Sequence, residues 1–254
     1  MYHLEKFHGI WVGKICEIAY NRNVIREEKR KENDMENEVS TVDSTFLQKI
    51  KPIQEKLNEM ALKYYAGLTE MEAKINVINE DFKLRYQYNP IHHVESRIKS
   101  PQSILNKMIG NGYPLDAGTM EEKIHDIVGV RIVCSFLKDI PYLVSFIKMN
   151  KDIEVLEEKD YIQNPKCTGY RSYHMLTRIP VTLTTGREYV IVEIQLRTMA
   201  MNFWASLEHR LNYKFDGYVP DSVKEELISC ANTVHELDEK MESLNEIIRE
   251  ANKD

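Results

Sequence analysis

Cysteine is scarce, long apolar runs are missing, and positive charge is not in excess; each shortage removes a class of protein. Cys16, Cys134, Cys167 and Cys230 lie far apart without metal-ligand spacing. A disulfide framework or a zinc cluster is therefore not expected, and free thiols in a reducing cytoplasm fit better. No window approaches the apolar length of a membrane span, and the opening MYHLEKFHGIWVGK has no apolar core behind a basic stretch. We expect neither a membrane protein nor a secretory leader. With 34 Lys+Arg against 40 Asp+Glu, the net charge of -6 argues against broad adhesion to nucleic acid or anionic lipid. Any phosphate site has to be a local basic cluster. No repeat of useful period is visible. The 254 residues suffice for one large domain, or for a compact core with helical additions.

Three kinds of pattern are present. Residues 22 to 40 mix both charge signs with few apolar positions, the composition of a solvated helix or a link. From Phe46, apolar residues from Ile50 to Ile78 recur at steps of three and four, which predicts one long helix or two broken near Gly67. Between Ile91 and Leu196 the pattern becomes short β-branched runs separated by helical stretches, the signature of a mixed α/β core. The runs DIVGVRIVCSF, DIEVL, YHMLTRIPVTL and EYVIVEIQLRT are the predicted strands, the last two a hairpin about Thr185-Gly186. LKDIPYLVSFIKM reads as a helix on the sheet. After Pro220, with Asp221 as N-cap, the series Val223, Leu227, Cys230, Val234, Leu237, Met241, Leu244 and Ile248 forms a heptad seam. That seam suits self-association, or a helix folded back on its own domain.

Three clusters carry chemistry. In EYVIVEIQLRT the alternation puts Val190, Val192, Ile194 and Leu196 on one face and Glu193, Gln195 and Arg197 on the other. A carboxylate on a central strand has to hold a cation, pair with an arginine or reach a cleft. The strand alone leaves open whether Glu193 is functional or pairs with Arg197 on an exposed face. Asp126 opens a second strand, in which Gly129 permits close approach; alternation would put Asp126 and Arg131 on opposite faces, so either Asp126 sits just before regular strand geometry begins or only one of the two faces the cleft. Two carboxylates suffice for Mg²⁺, which fills its other positions with phosphate and water. His125-Asp126 also matches a phosphohydrolase dipeptide, but further ligands are lacking. In HHVESRIKSPQSILNKM, Ser100 and Pro101 open a helix, and Arg97, Lys99, Ser103 and Lys107 gather about its N-terminus, where amides and dipole favour polyphosphate. An ordinary solvated helix start is the alternative. The loop EEKDYIQNPKCTGYRSYH carries Lys159, Lys166, Arg171 and His174 around Tyr170 and Tyr173, cations for phosphate and a ring for a base. Tyr170 lies in the turn itself and is preferred; a generic basic turn is the alternative.

Together DIVGVRIVCSF, GYRSYH, VEIQLRTMAMNFWASLEHRLNYK and RIKSPQSILNK resemble the synthetase domain of the RelA/SpoT alarmone family, most closely its single-domain small alarmone synthetases. The resemblance runs from Phe46 through the tail. It implies an α+β fold: a mixed, nucleotidyltransferase-like β-sheet core flanked by helices, with a long C-terminal helix. Residues 1–45 would be a charged extension, 46–218 the synthetase domain and 219–254 an oligomerisation helix. The activity implied is GTP pyrophosphokinase, the stringent-response synthesis of (p)ppGpp. The β,γ-pyrophosphate of ATP passes to the 3′-hydroxyl of GDP or GTP and AMP is released. Arg97, Lys99, Ser103, Lys107 and Arg131 would hold ATP, Arg131 also acting with the catalytic pair. Asp126 and Glu193 would bind Mg²⁺, and Glu193 would take the hydroxyl proton. Tyr170 would stack on guanine and Asn202 read its edge, with Lys159, Lys166, His174 and Gln195 around the acceptor's phosphates and ribose. The family's hydrolase pattern is missing, so synthesis without breakdown is expected, in a cytoplasmic homotetramer; RNA is neither required nor ruled out as a partner.

Two departures stand out. Gly110 replaces an arginine common among relatives, and Lys159 replaces another, keeping the charge without the planar fork. Two rival readings remain, a nucleotidyltransferase moving NMP and a silent nucleotide- or RNA-binding regulator. The first lacks the usual glycine-serine strand-helix motif. Intact Asp126, Glu193 and Tyr170 oppose the second.

Overall fold

A computed structural model describes residues 39–214 and 220–251; most of the charged stretch at 22 to 40 lies outside them. The chain order is α1 (Val39–Tyr86), β1 (Ile91–Ile98), α2 (Pro101–Gly110), α3 (Ala117–Lys123), β2 (Val128–Cys134), α4 (Asp139–Met149), β3 (Glu154–Asp160), β4 (Tyr173–Leu183), β5 (Gly186–Thr198), α5 (Met199–Lys214) and α6 (Asp221–Ala251). The described residues fall into two compact units, one within Met1–Leu62 and Lys99–Ile127, the other within Lys63–Ile98 and Val128–Asp254.

In the first unit, Ser100 caps α2 by accepting the Ser103 amide, with Pro101 at the first helical position. Asp116 caps α3 through the Thr119 amide at 2.8 Å. Ile53, Ile104, Leu105, Met108, Met120 and Ile124 are buried there.

The second unit is built on a five-stranded sheet in the order β1-β2-β5-β4-β3. The pair β2/β5 is parallel and the others antiparallel. The hairpin β4-β5 turns at Thr184-Thr185, with Gly186 at φ 131°, which only glycine adopts without strain. Val190, Val192, Ile194 and Leu196 are buried on one face, with Met175 and Ile179 beside them on β4 and Ile140, Leu143 and Ile147 of α4 also buried. Helix α1 continues unbroken through Gly67, because a Cβ there would sit 2.6 Å from Val190 Cγ1 and its absence lets the helix close on β5. The polar stretch Ile91–Ile98 is a fifth strand, paired at the sheet edge, that the β-branched runs do not announce.

The C-terminal helix corrects one boundary. The amides of Val223 and Lys224 both donate to the Pro220 carbonyl, so Asp221 is the first helical residue and not the cap. Inside the sheet unit α6 is anchored by polar contacts. Trp204 Nε1 donates to the Leu227 carbonyl at 3.0 Å, Thr198 Oγ1 to Asp238 at 2.6 Å, and the Lys138 amide to Glu242 at 2.9 Å. Ala231 is buried with Trp204 and Ala205, and Leu227, Val234 and Tyr170 pack against that cluster. The seam is thus divided: Leu227 and Val234 face the chain itself, while Leu237, Met241, Leu244 and Ile248 remain exposed. Among the described residues no helix is long and apolar enough to cross a membrane.

Candidate active site

Cross-strand register assembles a polar row on the face of the sheet opposite the apolar layer. Gly129 of β2 is paired on one side with Arg97 of β1 and on the other with Glu193 of β5. A Cβ at Gly129 would be 3.9 Å from Arg97 Cγ and Nε, so the bare glycine is the place where the Arg97 side chain crosses the sheet. One step along, Glu95, Arg131, Gln195, His174 and Lys159 form a second row through successive pairings. Arg131 NH1 donates to Glu95 Oε2 at 2.8 Å, and its Nε is buried without a hydrogen-bond partner.

Glu193 is held at both oxygens. His174 Nδ1 lies 3.1 Å from Oε1, and Gln195 Nε2 donates to Oε2 at 3.1 Å. The Tyr170 hydroxyl is 2.8 Å from His174 Nε2 and accepts from Arg197 NH2 at 2.5 Å. Arg197 does not form the exposed ion pair that the strand left open. It is only 5% exposed and donates to Tyr170, Gln195 and Asn202. Residues four apart on a strand are separated by roughly 13 Å, so Gln195 bridges what a direct contact would have to stretch across.

Tyr170 sits in the turn that the Lys166 carbonyl closes with the Gly169 amide at 2.8 Å. Gly169 has φ 87°, and a Cβ there would meet Ala231 at 2.7 Å, so the turn lies directly on α6. Lys166 Nζ is 4.9 Å from the Tyr170 ring centre and 4.7 Å from that of Tyr161. Tyr173 is a strand residue whose hydroxyl donates to Glu158, with burial pushing its pKa up to about 12. Lys159 is in the second row but is ion-paired with Glu157 at 2.9 Å. Asn202, on the first turn of α5, accepts weakly from Arg197 and lines a recess of about 330 Å³ with His93 and Phe203.

The first unit carries the remaining residues. Asp126 lies two residues ahead of β2, before regular strand geometry begins. Lys99 donates to its Oδ2 at 2.6 Å; Lys107 is 2.9 Å from Oδ1, outside hydrogen-bond geometry, leaving that oxygen buried without a hydrogen bond. Burial raises the Asp126 pKa, but the two lysines outweigh it and the net direction is down. An ionised carboxylate is the ligand type a hard divalent cation takes, but both oxygens already face lysine ammonium groups, so a cation bound there would have to displace one of them. Ser103 Oγ is 2.9 Å from Ser100 Oγ at the start of α2. His125 Nε2 lies 2.7 Å from the Glu122 carbonyl, and no group of three metal-ligating side chains exists among the described residues.

A cavity of about 600 Å³ lies elsewhere in the sheet unit, between α4, the segment after β3, and α6. Its lysines are already paired, Lys138 with Glu246 and Lys148 with Glu158. The polar row offers the better substrate site. Glu95 of the second row was passed over in the sequence, and Arg197, one step beyond that row, was considered only as an exposed partner of Glu193. Their signal is the two-residue spacing from Arg97 and Gln195.

Residues 96–218 match the family model described as the region found in RelA/SpoT proteins. The GTP pyrophosphokinase YwaC of Bacillus subtilis is 44% identical over 197 residues, covering 78% of this chain and 94% of the relative. YjbM of the same organism, also a GTP pyrophosphokinase, is 37% identical over 188 residues, 74% and 88% of the two chains. Among solved structures, small alarmone synthetase 1 of B. subtilis bound to its product pppGpp superposes with a TM-score of 0.71 at 35% identity, covering 76% of this chain and 98% of that one. Small alarmone synthetase 2 gives 0.68 at 44% identity over 74% and 97%. The polar row, the tyrosine turn and the capped basic helix are therefore those of a chain that belongs to the RelA/SpoT family, among its small alarmone synthetases.

Proposed function

We propose that the chain transfers the β,γ-pyrophosphate of ATP to the ribose 3′-hydroxyl of GDP or GTP, giving ppGpp or pppGpp and AMP. The observation that carries this reading is Glu193, an acid held at its two oxygens by His174 and Gln195, beside Arg97 and Arg131 and joined through His174 to the tyrosine of a basic turn. In the reaction the 3′-oxygen bonds to the β-phosphorus as the bond from that phosphorus to the α,β-bridging oxygen breaks. The electron pair leaves with AMP and the hydroxyl proton passes to Glu193. A ribose hydroxyl is a poor nucleophile at neutral pH, so a positioned carboxylate supplies the base.

Lys99, Ser103 and Lys107, with Arg97 and Arg131, are assigned to the ATP phosphates. Tyr170 is assigned to guanine, Asn202 to its edge, and Lys159, Lys166, His174 and Gln195 to the acceptor's ribose and phosphates. Mg²⁺ bound at Asp126 and Glu193 would neutralise charge on the transferred group. The site lies in the segment 46–218, with 219–254 assembling a cytoplasmic homotetramer.

Product identification tests the reaction. With ATP labelled at the γ-phosphate, GTP and Mg²⁺, label is expected in pppGpp; with α-label it is expected in AMP. Label passing from the α-phosphate to the acceptor would overturn the assignment in favour of nucleotidyl transfer. Guanosine nucleotide binding without AMP formation would favour a silent regulator.

A further inference from the structure

Arg197 has a constrained setting. Its guanidinium is buried, and its three acceptors, Tyr170 Oη at 2.5 Å, Gln195 Oε1 at 3.3 Å and Asn202 Oδ1 at 3.4 Å, are all neutral. Its Nε has no hydrogen-bond partner. Burial lowers its pKa, Tyr170 opposes that, and the nearby positive charge of Arg131 adds to it. Taking a guanidinium out of water among neutral groups is costly, and the contacts it makes have to offset that cost.

Those contacts close a ring. One arm runs from Arg197 to the Tyr170 hydroxyl, to His174 and on to Glu193 Oε1; the other runs from Arg197 through the Gln195 amide to Glu193 Oε2. A guanidinium only donates and a carboxylate only accepts, so each arm starts at a donor on Arg197 and ends at an acceptor on Glu193. Tyr170 accepts a hydrogen bond from Arg197, and its hydroxyl is hydrogen-bonded to His174 Nε2. His174 Nδ1, 3.1 Å from Glu193 Oε1, is the donor to the carboxylate. Gln195 accepts at its oxygen and donates from its nitrogen. Both arms therefore tie the Arg197 guanidinium to the Glu193 carboxylate.

We propose that Arg197 is the positioning residue of the acceptor site, setting the Tyr170 ring and the Glu193 carboxylate together, so that seating the base and orienting the group that takes the hydroxyl proton depend on one guanidinium. This rests on the roles given above to Tyr170 and Glu193. Arg197 is assigned no contact with either nucleotide; it acts through the two arms.

The test is steady-state kinetics on Arg197→Met, Arg197→Lys, Tyr170→Phe and the Arg197→Met/Tyr170→Phe double variant, with folding followed by circular dichroism. Arg197→Met is expected to lower kcat roughly 10- to 100-fold and raise the acceptor KM about tenfold, with the KM for ATP within about twofold. Arg197→Lys, a single donor head in place of a fork, should fall between it and the parent. A merely structural role would lower kcat with both KM values unchanged. Because Tyr170→Phe keeps the ring and cuts one arm, adding it to Arg197→Met should cost little more; fully multiplicative losses would overturn the coupling. Should Arg197→Met fail to fold, ¹⁵N spectra of the histidine rings in the intact protein decide the polarity. A proton on His174 Nδ1 is expected, and an Nδ1 without one would refute the ring. Glu193→Gln separates the two levels. Surviving turnover in that variant removes the base reading, whereas its loss together with parental kinetics in Arg197→Met removes only the positioning proposal.

Discussion

Lys107 lies 2.9 Å from Asp126 Oδ1 while Lys99 holds the other oxygen, so the basic cluster of the first unit is already organised about an anion. A polyphosphate meeting those lysines finds Lys99 just ahead of the start of α2, where the amide dipoles also favour an anion, and Lys107 on its last turn. Charge-assisted contacts contribute about 1.5–3 kcal/mol each. Lys107→Met is therefore expected to raise the KM for ATP at least tenfold and to leave that for the guanosine acceptor within about twofold, measured at saturating concentrations of the other substrate. Equal increases in both would reassign Lys107. Of these residues the sequence revealed types and approximate places. Ser100 and Pro101 announce the helix start by their own chemistry, and Glu193 stands out against apolar neighbours. The ring through Arg197 was not legible, because it depends on register between β4 and β5: His174 faces Gln195 only in the pairing that the hairpin turn fixes.

At the scale of elements, the strands most readily read were those with one buried face. The run YHMLTRIPVTL coincides with β4 because its alternation is visible without its partners. β1 escaped because His92, His93, Glu95, Ser96 and Arg97 put polar groups on both faces, as an edge strand at a binding face can. The heptad seam of α6 mixes two uses that spacing cannot separate. Its first half carries Leu227 and Val234 against Trp204 and the tyrosine turn, whereas Leu237, Met241, Leu244 and Ile248 are 51%, 46%, 53% and 60% exposed. An apolar stripe at heptad spacing fits a second copy of the chain. Leu244→Glu would leave an unpaired carboxylate in such an interface, costing several kcal/mol per contact. It should weaken self-association at least a hundredfold. Light scattering on parent and variant checks this, and a parent of single-chain mass at every concentration would refute it.

Over the whole molecule, stability depends on acids that α6 buries in the sheet unit. Asp238 is 7% exposed; burial pushes its carboxyl up to about 6 from 3.8, and the hydrogen bond from Thr198 opposes the rise. Asp139 is raised as well, by burial first, against hydrogen bonds from Tyr88 and the Phe136 amide; Glu242 and Arg249 also act on it. A carboxyl with a raised pKa binds its proton more tightly when folded. Its contribution is complete below about pH 4 and is lost as the pH rises through about 6. For Asp238 the difference of about two units corresponds to roughly 3 kcal/mol, absent at pH 7.5. The same side chain accepts from Thr198, whose hydroxyl in turn accepts the Met201 amide at the start of α5, so ionisation strains the joint between β5, α5 and α6. Asp238→Asn keeps an acceptor for Thr198 and removes the proton equilibrium. Its unfolding midpoint should exceed the parent's at pH 7.5 and converge with it near pH 4.5, in thermal melts followed by circular dichroism across that range. A variant less stable than the parent at pH 7.5 would mean that ionised Asp238 stabilises the joint, and would reverse the sign argued here.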